Sequence, residues 1–213
     1  MSLSSGTLVT LGLVGVVAAG GAWSKRGSRS LAPASAEALQ GLLAILRAMQ
    51  IAIHEGHWVV QGSSQYGDHL LLQRIYAGGE GSPVLQDEID SLGERIVAYA
   101  GPSFVNSVTV TEKSLMLLRT WRRGAAYPMR QALHAEESLQ LAIREVYDAL
   151  RAAGDLSLGL DDLLMGMANA HDTNRYLLRQ RLDDVLRGSA ARTTDRRDLS
   201  VRAFHTRHPG TSR

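Results

Sequence analysis

The chain contains no cysteine. Disulfides are thereby excluded, as is any metal site built on thiolates, and the redox compartment stays open; a metal would have to be held by His, Asp or Glu. Aromatic residues are few, 5% of the sequence with only two Phe. At 45% hydrophobic content over 213 residues a substantial core can form, but from Leu, Ala, Ile, Val and Met, a set that favours helix over strand. There is also no Gly-rich phosphate loop, no nucleophile elbow and no His-Glu-x-x-His zinc motif, and no segment offers convincing period-two strand pairs.

The formal net charge of +2 conceals a partition. Residues 187–213 hold seven Arg against two Asp, a net +5, and residues 1–30 carry Lys25, Arg26 and Arg29, a net +3. Residues 31–186 hold 13 basic against 19 acidic residues, a net −6. An acidic body with basic ends suits contact of those ends with a polyanion, nucleic acid or lipid headgroups, or plain solvation.

Residues 7–23, TLVTLGLVGVVAAGGAW, carry no charge, and SKRGSRS follows at once. As a helix this run spans roughly 25 Å, a little short of a ~30 Å bilayer core. Three readings stay open: a membrane anchor, a cleaved signal without the usual basic start, or an arm packed on the body. As an anchor it would leave the main domain on the Lys25/Arg26/Arg29 side, in the cytoplasm. The domain organisation is therefore 1–34 apolar segment and basic linker, 35–187 helical body, 188–213 basic flexible tail.

From residue 35 the periodicity is helical. Ser35 is the expected N-cap of a first helix with an acidic first turn, closed by Gly62, whose apolar stripe runs Leu39, Leu42, Leu46, Met49, Ile53, His57, Val60. A second helix is expected near 66–76, interrupted by AGGEGSP at 77–83 and resuming over VLQDEIDSLGERIVAYAG. SVTVT is read as a β-prone patch in a loop at 102–112, then helices near 113–122, 128–153 and 161–187. Four long helices with one short helix in a long middle connection make an all-α four-helix bundle.

Several side chains carry candidate chemistry. His57 and His69 flank a Gly/Ser-rich turn twelve residues apart. Asp90 and Glu94 lie four apart on one helix face, where like charges repel by a few tenths of a kcal/mol unless a cation sits between them; a solvated acidic face is the plain alternative. His171, in the stripe Leu164, Met167, His171, Asn174, Leu178, reads first as a hydrogen-bonded core histidine. His134 with Glu137 is an i, i+3 pair, a surface pair before a ligand pair. No Glu has a His three residues on, so the usual di-iron pattern inside one bundle is absent.

Taken together, HWVVQGSSQYGDH, DSLGERIVAYAG, AAGDLSLGLDDLL and HDTNRYLLRQRL resemble the Dps mini-ferritins, the DNA-binding proteins from starved cells, over roughly residues 35–187. The resemblance implies a ferritin-like bundle assembled as a hollow homo-dodecamer, with ferroxidase sites across two-fold interfaces. His57 and His69 of one subunit would meet Asp90 and Glu94 of its neighbour to bind Fe(II), which hydrogen peroxide oxidises and the shell stores. It also implies a radical-intercepting role for Trp58, or interface packing instead, and an iron-entry pore lined by Asp161 and Asp162, which first-turn helix acids would explain equally. The basic tail, through Arg192, Arg196, Arg197, Arg202 and Arg207, would bind DNA without sequence preference.

Two departures from the family pattern stand out. The acidic ligand expected one turn after the second histidine is Gln73, with His54 or Asp68 as substitutes, and the insertion at 77–83 lengthens the His69–Asp90 separation. The competing reading is a non-enzymatic ferritin-fold shell or membrane-associated structural subunit with a degenerate metal site.

Overall fold

The computed structural model describes residues 30–79, 82–124 and 127–205, with side-chain surroundings up to 183. The apolar run at 7–23 and Arg207 lie outside the described residues. Six α-helices make up the body: α1 Pro33–Val59, α2 Gln65–Ala77, α3 Leu85–Ala100, α4 Ser107–Gly124, α5 Pro128–Ala153 and α6 Leu158–His205. Among the described residues the only β-type pairing is an isolated bridge between Gly79 and Ser82.

α1 is the central element. Its stripe of Leu39, Leu42, Leu46, Met49 and Ile53 is fully enclosed, packed against α2 and α3 on one side and α5 on the other, while α6 closes the ring against α5, α3 and α2. α2 and α3 together are the second limb of the four-helix bundle. α1 is the one helix among the described residues long and apolar enough to cross a membrane, and its apolar stretch is mostly buried inside this bundle.

Helix ends differ from expectation in three places. α1 starts at Pro33, not Ser35, because proline suits the first helical position and the capping acid arrives from elsewhere. Asp155 Oδ2 accepts both the Ala32 N–H at 2.9 Å and the Ser35 hydroxyl at 2.7 Å. Asp155 directly follows Gly154, whose left-handed conformation ends α5, so one Gly-Asp turn closes one helix and caps another.

The SVTVT patch belongs to a helix, not a loop. Asn106 Oδ1 accepts the N–H groups of Val108 and Thr109 at 3.1 and 3.2 Å, and such a cap outweighs the small helix penalty of β-branched residues. α4 is thus 18 residues long rather than short. It is fastened to α1 by Ser114 Oγ donating to the Ala44 carbonyl and Lys113 donating to Gln40.

α6, expected to stop near 187, continues to His205. Gly188 alone costs a helix only about 1 kcal/mol, and no proline intervenes before Pro209. Arg192, Arg196, Arg197 and Arg202 therefore ride on the C-terminal part of α6, where a flexible tail was expected.

Candidate metal centre

His57 lies in the last turn of α1 and His69 in the second turn of α2. Gly62, at φ +99°, takes the chain through the reversal between them. The two rings stack with centroids 3.6 Å apart. Each also reaches the other's backbone: His57 Nδ1 lies 3.1 Å from the His69 carbonyl, and His69 Nδ1 lies 3.0 Å from the His57 carbonyl. A carbonyl only accepts, so each Nδ1 must carry the proton. The lone pair of a neutral imidazole is then left on each Nε2, the arrangement by which metal-binding histidines are held in one tautomer.

An aromatic cluster surrounds the pair. His54 sits between Trp58, at 4.3 Å between centroids, and Tyr76, at 4.5 Å, and Tyr76 meets His57 edge-on at 5.2 Å. Trp58 is 67% exposed and Tyr66 77%, with Val59 and Leu70 also open. This half-buried histidine pair is therefore flanked by a large uncovered apolar surface.

The expected carboxylates are elsewhere in the chain. Asp90 and Glu94 are exposed on α3, with Asp90 Oδ1 accepting Gln86 Nε2 at 2.8 Å. Among the described residues no three His, Asp or Glu side chains gather in an arrangement able to hold a metal ion. The described residues of one chain thus supply no complete set of metal ligands.

Gln73, one turn after His69, is exposed. Asp68, a candidate substitute ligand, is fully buried. Its Oδ2 accepts Tyr127 Oη at 2.6 Å and Ser64 Oγ at 3.0 Å, while Oδ1 accepts Arg181 Nε at 2.5 Å. Burial, then the bond to Asp68, raises the Tyr127 phenol above its ordinary range. These commitments leave Asp68 unavailable to an external metal. Asp161 lies in the first turn of α6 with Asp162 directly after it, and the start of the helix is capped by Ser157 Oγ accepting the Leu160 N–H. Glu137 pairs with Arg179 at 2.7 Å on the surface, and His134 is exposed.

A second polar cluster lies inside the bundle, and it includes two residues that sequence reasoning missed. His171 of α6 is 1% exposed, with Nδ1 2.8 Å from Glu136 Oε2 of α5 and Nε2 2.9 Å from Glu88 Oε2 of α3. Burial alone would lower the imidazole's pKa, but the two carboxylates overcome this and raise it to about 10. His171 is thus an imidazolium held between two buried acids. Burial pushes Glu136 above the ordinary carboxyl range despite its bond to His171. The signal was available: Glu88 falls among Leu85, Ile89 and Leu92, and Glu136 among Ala132, Ala135 and Leu139, all buried, so both acids occupy core positions.

This architecture is a ferritin-like helical bundle. The chain is similar to the structure of DpsC from Streptomyces coelicolor, at 22% identity and a TM-score of 0.54, over 70% of this chain and 83% of that one. It is also similar to Dps from Thermosynechococcus elongatus, at 18% identity and a TM-score of 0.50, over 70% of this chain and 89% of that one. At these identities the likeness is one of fold. No protein-family profile and no curated protein matches the chain in sequence.

Proposed function

We propose that this chain is a Dps-like subunit that oxidises Fe(II) and sequesters the product, limiting peroxide damage to neighbouring macromolecules. The observation that carries the reading is the reciprocal Nδ1–carbonyl pairing of His57 and His69, which leaves two Nε2 lone pairs beside an open apolar surface. Imidazole with carboxylate suits Fe(II). In a homodimer built on that surface, Asp90 and Glu94 of the neighbour would supply the missing anionic ligands and offset the charge of the ferric product. Hydrogen peroxide takes one electron from each of two Fe(II) and leaves as two waters, with two protons consumed. Repetition of such dimers in a closed homo-oligomer, a dodecamer by analogy of fold, gives the storage shell. Trp58, tilted against His54, donates an electron to a stray oxidant or packs the interface in this reading.

In this reading Asp161 and Asp162 draw cations towards the shell. The arginines of the C-terminal part of α6, with Arg207, contact DNA in the cytoplasm, and the run at 7–23 anchors the particle or packs on it. A non-enzymatic shell is the second reading. It is favoured by Gln73 standing where an acid would complete the site, and by the full engagement of Asp68.

The deciding experiment is anaerobic Fe(II) loading of the purified particle, then peroxide addition with ferric absorbance as the readout. His57→Ala with Glu94→Ala should abolish rapid oxidation while helical content and particle mass stay unchanged. Oxidation at the parental rate in this double variant would move the chemistry to other residues, with His134, Glu137 and His171 next in line, whereas no rapid oxidation by the unaltered particle would favour the structural shell.

A further inference from the structure

Most of α2 is positioned by surprisingly little apolar packing. Its buried residues are Asp68, Leu72 and Ile75, so its first turn buries no apolar side chain at all. In place of packing, the buried Asp68 carboxylate binds groups from three directions: Ser64 at the start of the helix, Tyr127 just ahead of α5, and Arg181 on α6. Asp68 is the residue immediately before His69, and the turn that carries both is fastened on its other side by the histidine–carbonyl exchange with α1.

We infer that Asp68, clamped by Tyr127 and Arg181, is the positioning residue for His69, fixing the distance and angle at which the two Nε2 atoms face a metal ion. The inference rests on the metal-binding reading above. Both carboxylate oxygens accept from donors, Oδ1 from Arg181 and Oδ2 from Ser64 and Tyr127. An amide at this position would turn an N–H₂ group towards one of those sets and leave Arg181 without its counter-charge. The backbone of the first turn would then be free to shift, and His69 would move with it. Outer partners of this kind commonly govern metal affinity by about 10- to 100-fold.

The test is Co(II) titration of the assembled, full-length protein, followed by the visible absorption of the bound ion. It is carried out well below the melting temperature of every variant. Asp68→Asn is expected to weaken Co(II) binding at least ~10-fold and to alter the absorption envelope, because ligand geometry changes. Tyr127→Phe removes one of the three bonds without touching charge, and should shift both readouts in the same direction by a smaller factor. It also decides the matter should Asp68→Asn fail to fold. A merely structural role would lower the melting temperature and leave the Co(II) dissociation constant and spectrum unchanged in Tyr127→Phe; that result overturns the inference while leaving the metal-binding reading in place. Absence of Co(II) uptake by the unaltered protein overturns both.

Discussion

Replacing His171 by leucine should be among the most damaging single changes available in this protein. Among the described residues the imidazolium is the one cation hydrogen-bonded to the buried Glu88 and Glu136 side chains, so its removal strands two acids in the core. Breaking a buried ionic cluster in this way costs about 3–5 kcal/mol. The pH dependence is equally specific. His171 titrates near 10 when folded against 6.5 when free. Its stabilisation is therefore fully present below about pH 6.5 and is lost as pH rises through 10. Glu136, raised by burial, acts in the same direction, since the folded chain again holds more protons than the unfolded one. One such proton gives a slope of ~1.4 kcal/mol per pH unit, or roughly 3 kcal/mol between pH 7 and 9. Urea unfolding followed by circular dichroism at fixed protein concentration, from pH 6.5 to 9.5, reads both quantities. His171→Leu should lose the share of this slope that His171 supplies and keep only that of Glu136, and replacing all three residues by leucine should recover most of the stability, as apolar substitution of buried ion clusters does. The exposed His134→Leu is the control, within ~0.5 kcal/mol of the parent. A His171→Leu variant as stable as that control, or with the parental pH slope, would refute the reasoning.

Three further outcomes follow from other parts of the molecule. Asp155→Ala removes the cap shared by Ala32 and Ser35 and should lower stability by about 1–2 kcal/mol, measured by the same unfolding curves; Asp155→Asn should recover part of it. Gln73→Asp should tighten Fe(II) binding in an anaerobic titration if the neighbour's carboxylates complete the site, and no change would place Gln73 outside the coordination sphere. Truncation after Arg187 should abolish a low-salt DNA gel shift without altering the number of subunits in the particle, and the shift of the full chain should weaken steeply with added salt; equal retardation of both proteins would remove DNA from the proposed function.

What the sequence disclosed and what it hid divide along a physical line. Where a residue's role is set by neighbours one helical turn away, it could be read directly. The α1 stripe, the break after α2 and the Gly/Ser-rich turn between His57 and His69 are local signals, and the observed bundle follows them, although α1 ends at Val59 ahead of the expected Gly62. Where the partner is distant, the signal was silent. Nothing near Ser35 announces that its capping acid lies 120 residues away, and nothing near Asp68 announces Arg181, 113 residues on. The same separation explains the reassignment of Asp68 from ligand to clamp: a carboxylate beside a histidine looks available until the donors that surround it are known. α4 failed for a different reason, because β-branched residues were weighed above the Asn106 cap directly preceding them. Glu88 and Glu136 sit between these cases. Their placement in apolar stripes was legible, and a charged residue in a stripe requires a buried counterpart; His171, also in a stripe and on a third helix, was the cation that could meet that requirement. Among the described residues the surface pair of histidines has no such closure. In the function proposed above, its two Nε2 atoms would form half of a coordination sphere, and Asp90 and Glu94 of a second copy of the chain would carry the other half.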